Sequence, residues 1–154
     1  MTAPLPDFRS VLVVCTGNVC RSPLAEAVLQ ARVPGCTIRS AGLAAEPGQP
    51  ALDLWQDRAA RAGLDLSAAR ARRLTSQMAL AADLLLCMEA AQADLIVTRT
   101  RALAGRVFLL THWCGSADIE DPILGSADHH DRIFTQVWQA SLTWARAMTE
   151  QVRW

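Results

Sequence analysis

The stretch at residues 11–23 places the strongest constraint on how this chain can fold. It opens with the run Val-Leu-Val-Val, which is apolar and β-branched enough to predict a buried strand. Cys15, Gly17 and Asn18 follow in a short segment, and then Ser22-Pro23 is typical of a helix start, with Ser22 as N-cap. A strand that enters a helix through a short loop predicts a βαβ unit with an anion-binding loop.

The rest of the chain continues this alternation of strands and helices. Further strands are predicted at 36–39, 84–88 and 107–110, and helices at 23–32, 51–62, 90–100 and 129–152. Ser67 and Thr75 are each placed to cap a short helix. The pattern predicts an α/β fold, a three-layer sandwich whose four-stranded parallel sheet carries helices on both faces and a phosphate loop after strand 1. Ligands of such sheets bind at the carboxyl ends of the strands.

Helical spacing also predicts which face of the last helix is buried. The apolar residues that recur near the helical period are Phe134, Trp138, Leu142, Ala145, Met148 and Val152. Trp144 and Trp154 fall off this face and are predicted to be free for a partner.

Composition limits the class of protein. The 154 residues, 51% of them hydrophobic, predict one domain at 1–154 with a packed core and a flexible tail at 1–8. A formal net charge of zero argues against a nucleic-acid partner. The longest apolar runs have strand length, so we expect no membrane association. Five cysteines, an odd number, suit a reducing compartment and predict a cytoplasmic protein.

The first loop contains the two groups that phosphoryl chemistry needs. Cys15 stands at the start of the loop, where converging amides, a helix N-terminus and Arg21 favour the thiolate that attacks phosphorus. Arg21 can hold two phosphoryl oxygens at once, which a lysine cannot copy. Ser22 can cap the helix, hydrogen-bond the sulfur, or do both. Gly17 and Asn18 suit a loop that turns back on itself around an anion.

The sequence Cys-Thr-Gly-Asn-Val-Cys-Arg-Ser-Pro at 15–23 resembles the phosphate loop of the low-molecular-weight protein tyrosine phosphatases, in particular the bacterial type. The resemblance extends to four more segments: Ser40-Ala41-Gly42, Ala71-Arg72-Arg73-Leu74-Thr75, Leu86-Cys87-Met88-Glu89 and Asp121-Pro122. It implies hydrolysis of phosphotyrosine, an aryl phosphate monoester, through a cysteinyl-phosphate intermediate and without a cofactor.

The resemblance also assigns roles to individual residues. It implies that Cys15, Arg21 and Asp121 are catalytic, with Asp121 as the general acid that protonates the leaving phenolate. Asp118, Glu120 and Asp128 compete for that role in the same acidic loop. The residues implied to bind phosphate or shape the loop are Thr16, Gly17, Asn18, Val19, Cys20 and Ser22. Cys20 is also placed to form a reversible disulfide with Cys15 that protects the nucleophile from overoxidation.

The substrate rim departs from the family. Many relatives have aromatic residues after Asp-Pro, where this chain has Ile123 and Leu124. Another position that is often aromatic in relatives, and that forms a wall of their substrate pocket, falls near Glu46. Leu43 or Trp113 is the candidate for an apolar wall in its place. The rim is therefore predicted at Leu43, Glu46, Ile123 and Leu124.

Three alternatives stay open at this point. Protein arginine phosphatases share the fold, although we expect Thr in them where this chain has Val19. Arsenate reductases need a downstream cysteine pair, and Cys87 has no second cysteine within ten residues. A redox-sensing phosphate-binding module is the non-enzymatic alternative.

The remaining expectations concern ligands and partners. His112, His129, His130, Asp128 and Asp131 match no metal-ligand spacing, so no metal is predicted. The expected partner is a phosphotyrosine protein. The run Leu-Thr-His-Trp at 110–113 resembles bacterial members associated with tyrosine kinases of polysaccharide export. A monomer or weak dimer is expected.

Overall fold

A parallel four-stranded sheet carries the fold in the computed structural model, which describes residues 8–150. Its strands are β1 (Ser10–Cys15), β2 (Thr37–Gly42), β3 (Leu84–Cys87) and β4 (Val107–Leu109). The helices are α1 (Arg21–Arg32), α2 (Asp53–Arg61), α3 (Ser76–Ala81), α4 (Ala90–Arg99) and α5 (Ala127–Glu150), with a 3₁₀ turn at Arg101–Leu103. The strand order is β2-β1-β3-β4, and every neighbouring pair is parallel. The predicted fold class is confirmed.

Side chains alternate across β1 and so divide the core into two layers. Val11 and Val13 face a cluster that contains buried residues of α1, α2 and α5. Leu12 and Val14 face a second cluster with Ala79 of α3 and Ile96 of α4. Helices therefore cover both faces of the sheet, as a parallel sheet requires. Within the described residues, no helix combines the length and apolar character needed to cross a bilayer.

The register of the sheet brings the ends of three strands together. Cys15 pairs with Gly42 of β2, and its neighbour Val14 pairs with Cys87 of β3. The loops that follow β1, β2 and β3 therefore leave the sheet at one edge, where a ligand can contact all of them.

Several predicted boundaries are wrong, and each has a local cause. Helix α1 begins at Arg21 after Cys20, so Ser22 is its second residue and not its cap. Strand β2 continues to Gly42, because its last residues stay paired with β1. No helix follows Ser67, whose amide instead donates to Asp65 Oδ1 at 2.8 Å in a turn. Thr75 caps α3 as predicted, since its Oγ1 accepts from the amide of Met78.

The buried face of α5 is wider than predicted. Ala145 is buried as predicted, and four more of the predicted residues are partly buried and pack against the main core: Phe134, Trp138, Leu142 and Met148. The fully buried residues of the helix are His130, Ile133, Val137, Ala140, Ser141, Trp144, Ala145 and Ala147. The predicted residue Val152 lies outside the described range. Trp144 is fully buried, and its Nε1 donates to the carbonyl of Leu109 at 3.2 Å. The prediction that Trp144 is free for a partner is wrong, because β4 offers its indole an acceptor. Trp154 lies outside the described residues.

The predicted tail at 1–8 lies outside the described residues except for Phe8. This residue packs against the main core, and its carbonyl accepts from Cys36 Sγ at 2.8 Å.

Candidate active site

Asn18 organises the loop between β1 and α1. It has the left-handed conformation predicted for it, with φ of 55°. Its Nδ2 donates to Ser22 Oγ at 2.8 Å and to Ser40 Oγ at 2.9 Å. Its Oδ1 accepts from the amide of Arg72 at 2.9 Å. The side chain is buried, so these bonds hold the loop to β2 and to the segment before α3 in a fixed shape.

The end of β2 packs directly against the same loop. A Cβ on Gly42 would lie 2.5 Å from the carbonyl oxygen of Thr16 and 3.0 Å from the amide of Asn18, so only glycine fits. The next two amides, those of Leu43 and Ala44, donate to the carbonyls of Cys15 and Thr16 at 3.0 Å each. Because the N–H of a peptide unit points opposite to its C=O, the amides of Thr16 and Gly17 face away from β2.

Cys15 lies in this loop with hydrogen-bonding groups around its sulfur. The side chain is 1% exposed. Its Sγ lies 2.8 Å from Ser22 Oγ and accepts from the amide of Asn18 at 3.3 Å. Helix α1 starts directly behind the loop and has no side-chain cap, so its first amides are not covered by a capping side chain. These groups stabilise negative charge on the sulfur and on a bound anion. They also explain why Ser22 does not cap the helix, since its hydroxyl is engaged with Cys15 and Asn18.

Arg21 is buried with one side of its guanidinium occupied. Its Nη1 donates to Glu89 Oε1 at 2.6 Å and to the carbonyl of Ile119 at 2.7 Å. Within residues 8–150, Nε and Nη2 make no hydrogen bond although both atoms are buried. Buried donors of this kind are costly unless they serve a ligand. The edge formed by Nε and Nη2 has the spacing to bind two oxygens of a phosphoryl group.

Asp121 is the carboxylate of the acidic loop that lies beside Arg21. Its Oδ2 is 3.4 Å from Arg21 Nη2, and its Oδ1 accepts from the amide of Ile123 at 3.1 Å. The side chain is 35% exposed, which leaves it open to a leaving group or to water. Asp121 is therefore near both the phosphate-binding edge of Arg21 and solvent.

Two of the three competing carboxylates have other contacts. Asp118 Oδ1 accepts from the amide of Ala90 at 2.8 Å. Glu120 is 75% exposed and lies 3.6 Å from His129 Nε2. Asp128 lies in the first turn of α5.

The four predicted rim residues differ in how far they are exposed to solvent. Ile123 is 49% exposed and Leu124 is 97% exposed, at the tip of a turn in which the Gly125 amide donates to the carbonyl of Pro122. Glu46 is exposed. Leu43 packs against the core cluster of Leu12 and Val14. The acid loop thus presents an apolar tip next to Asp121, while Leu43 contributes mainly to the core.

The loop contains a second thiol, Cys20. Burial raises its pKa to about 12, and the neighbouring sulfur of Cys15 adds to the shift. Cys20 is therefore a neutral thiol at neutral pH, and both cysteines are free. The disulfide between them stays a prediction. Burial likewise raises the pKa of Cys87, on the adjacent strand, to about 12.

The histidines have structural contacts. His130 Nδ1 accepts from Trp55 Nε1 at 2.9 Å, and His112 packs among the rings of Phe108, Trp113 and Trp144. Across residues 8–150, no three side chains of the metal-binding types lie close enough to hold a metal ion.

Sequence reasoning missed three polar residues of the site. Ser40 and Glu89 were identified only as parts of resembling segments, and Gln92 was not identified. Ser40 contacts Asn18, Glu89 contacts Arg21, and Gln92 contacts Thr16. The available signal is their position: Ser40 lies near the end of β2, and Glu89 and Gln92 lie just after β3, at the start of α4. These segments share an edge of the sheet with Cys15.

Comparison with known proteins gives one consistent result. The family model described as low molecular weight phosphotyrosine protein phosphatase matches residues 10–154. The low molecular weight protein-tyrosine-phosphatase Etp of Escherichia coli K12 is 35% identical over 142 residues, which cover 92% of this chain and 96% of Etp.

Two solved structures are informative. Wzb of Vibrio vulnificus in complex with benzylphosphonate has a TM-score of 0.86 at 33% identity, covering 90% of this chain and 98% of that one. The YwlE arginine phosphatase of Geobacillus stearothermophilus also has a TM-score of 0.86, at 27% identity and with 93% and 94% of the two chains covered. The backbone alone does not separate these two chemistries.

Proposed function

This chain belongs to the low molecular weight phosphotyrosine protein phosphatase family, and on that premise we propose that Cys15, Arg21 and Asp121 carry out its reaction. As a member, it is a protein-tyrosine phosphatase that hydrolyses phosphoric monoesters. The observation that carries the assignment of residues is the guanidinium of Arg21. It is 1% exposed, yet two of its donors have no hydrogen-bond partner among the described residues.

The first half of the reaction transfers the phosphoryl group to the enzyme. The Cys15 thiolate attacks phosphorus, an S–P bond forms, and the P–O bond to the tyrosine oxygen breaks. Arg21 binds two of the phosphoryl oxygens and offsets their charge in the transition state. Asp121 delivers a proton to the departing phenolate. Phenol has a pKa of about 10, so the phenolate leaves poorly unless it is protonated.

The second half returns the enzyme to its starting state. Asp121, now a carboxylate, takes a proton from water as the water oxygen attacks phosphorus. The S–P bond breaks, inorganic phosphate leaves and the thiolate of Cys15 is restored. One carboxyl group thus serves as acid and then as base, which its contact with both Arg21 and solvent supports.

Replacing Asp121 by asparagine tests the acid. For phenyl phosphate, whose phenolate is a poor leaving group, we expect kcat to fall about 10²- to 10³-fold. For p-nitrophenyl phosphate, whose leaving group needs little protonation, the fall in the first half-reaction is much smaller. Burst kinetics on both esters measure this difference.

Asp118→Asn is the matched control for that experiment. It changes a carboxylate of the same loop that binds the Ala90 amide and keeps an oxygen there to accept the bond. An equal loss on both esters in Asp121→Asn, or the same leaving-group dependence in Asp118→Asn, would contradict the role.

A comparison of phosphotyrosine and phosphoarginine peptides tests the substrate class. Val19 is 8% exposed and packs with Ala45 and Ala71, which places an apolar side chain in the loop. An apolar wall favours an aryl ester over a charged guanidinium, so we expect kcat/KM to be at least about tenfold higher for phosphotyrosine. Equal or faster hydrolysis of phosphoarginine would assign the chain to the arginine phosphatases instead.

The cellular context is also a proposal. The odd number of cysteines, five, supports a reducing compartment, and hence the cytoplasm. The expected substrate is a phosphotyrosine protein, and the run at 110–113 supports a bacterial tyrosine kinase of polysaccharide export as a candidate.

A further inference from the structure

Gln92 is a buried polar residue that the reaction described above does not use. It lies in the first turn of α4 and is only 5% exposed. A glutamine amide carries two donors and an acceptor, so burial is costly unless its bonds are made. Its hydrogen-bond partners lie on two different parts of the site.

One end of the Gln92 side chain holds the connection between β3 and α4. Its Oε1 accepts from the amides of Met88 and Glu89 at 3.0 and 3.1 Å. The carboxylate of Glu89 in turn binds Arg21 Nη1 at 2.6 Å. The backbone from which Glu89 reaches Arg21 is therefore held in place by Gln92.

The other end of Gln92 reaches the phosphate loop. Its Nε2 donates to Thr16 Oγ1 at 3.1 Å. Thr16 follows the nucleophile directly, and its carbonyl is held on the opposite side by the amide of Ala44 at 3.0 Å. Thr16 is thus fixed between β2 and Gln92.

We propose that Gln92 is a positioning residue, which joins the loop carrying Cys15 to the carboxylate that orients Arg21. The proposal rests on the phosphatase reaction given above. Attack in line requires the sulfur and the guanidinium to keep a fixed separation, and displacements of about 1 Å can cost about 10² in rate. Gln92 acts through Thr16 and Glu89 and does not itself contact the phosphoryl group.

A purely structural role for Gln92 makes different predictions. If it only satisfies the amides of Met88 and Glu89, its loss lowers stability and leaves turnover of the folded enzyme unchanged. The bond to Thr16 would then be incidental. Deleting the Thr16 hydroxyl separates the two roles, because that change leaves both amide bonds intact.

The experiment compares Gln92→Met, Thr16→Val and the double variant, with p-nitrophenyl phosphate as substrate. Both changes keep side-chain size and remove one end of the bond. We expect each single variant to lower kcat about tenfold with KM changed less than about threefold, since the lost alignment matters in the transition state. The kcat of the double variant is expected to lie within about twofold of the less active single variant, because both changes remove the same hydrogen bond.

Gln30→Met is the matched control. Gln30 also uses its amide as a bridge, donating to the carbonyl of Cys36 and accepting from the amide of Ile38. It does so beside the amino end of β2, at the opposite edge of the sheet from Cys15. We expect it to lower thermal stability and to leave kcat unchanged.

Each result decides the proposal. A folded Gln92→Met variant with kcat within about twofold of the wild type overturns it, and so do independent, multiplying losses in the double variant. Unchanged kcat in Thr16→Val also overturns the proposal, and this variant decides alone if Gln92→Met does not fold. An inactive wild type would instead overturn the phosphatase reaction itself, before any variant is compared.

Discussion

Cys15→Ser is expected to lower the hydrolysis of an aryl phosphate by about 10⁴- to 10⁶-fold, the scale seen when a nucleophile is removed from an enzyme that uses one. A serine hydroxyl is not ionised at neutral pH, and the loop that stabilises a thiolate does not supply a base to activate it. Ser22 Oγ and the Asn18 amide, at 2.8 and 3.3 Å from the sulfur, hold negative charge and do not remove a proton. Steady-state kinetics with p-nitrophenyl phosphate measure the loss.

Phosphate binding separates this result from a folding defect. The variant keeps Arg21 and the loop amides, so we expect it to bind inorganic phosphate or vanadate with thermal stabilisation. Cys36→Ser is the matched control, because Cys36 bonds the carbonyl of Phe8 just before β2 and lies at the edge of the sheet away from the loop. Activity retained in Cys15→Ser, or lost in Cys36→Ser while the protein stays folded, would contradict the mechanism.

Arg21→Lys is expected to have the second largest effect, a fall in kcat/KM of about 10³-fold or more, as when an arginine that stabilises a phosphoryl transition state is lost. A lysine keeps the charge but presents one compact ammonium group. It cannot bind Glu89 Oε1 and the Ile119 carbonyl on one side while offering two parallel donors on the other. The same assay and the inhibition constant of phosphate measure the change.

The inhibition constant shows whether geometry or charge is lost. We expect phosphate to bind Arg21→Lys more weakly than the wild type, because the bidentate contact is gone. Arg106→Lys is the control, since Arg106 bonds the carbonyl of Ala82 at the other edge of the sheet. Near-normal turnover in Arg21→Lys would mean that charge alone suffices, and it would contradict the catalytic role of the edge formed by Nε and Nη2.

The parts of the site that could be predicted from sequence are those built by neighbouring residues. The run of apolar residues before Cys15 and the Gly17-Asn18 pair indicated a strand and a turning loop, and both are present. Alternation of elements indicated the parallel sheet, because that pattern has few other solutions.

The parts that could not be predicted depend on contacts between distant segments. Ser22 and Pro23 are a common helix start, but the hydroxyl of Ser22 is taken by Cys15 and Asn18, and the helix begins at Arg21 instead. The burial of Trp144 in α5 is missed because periodicity does not reveal that the carbonyl of Leu109 accepts a bond from its indole. Gln92 is not part of any sequence motif that would identify it as a residue of the site.

The guanidinium of Arg21 has a consequence for when activity arises during synthesis. Its Nη1 donates to Glu89 and Ile119, which lie 68 and 98 positions further along the chain. The side chain of Asn18 likewise accepts from the amide of Arg72, which lies 54 positions further along the chain. A nascent chain therefore contains every residue of the phosphate loop long before it contains the groups that give the loop its shape. Because chains are made from the amino terminus, Cys15 emerges from the ribosome early, but the active site around it forms only after these later segments have emerged.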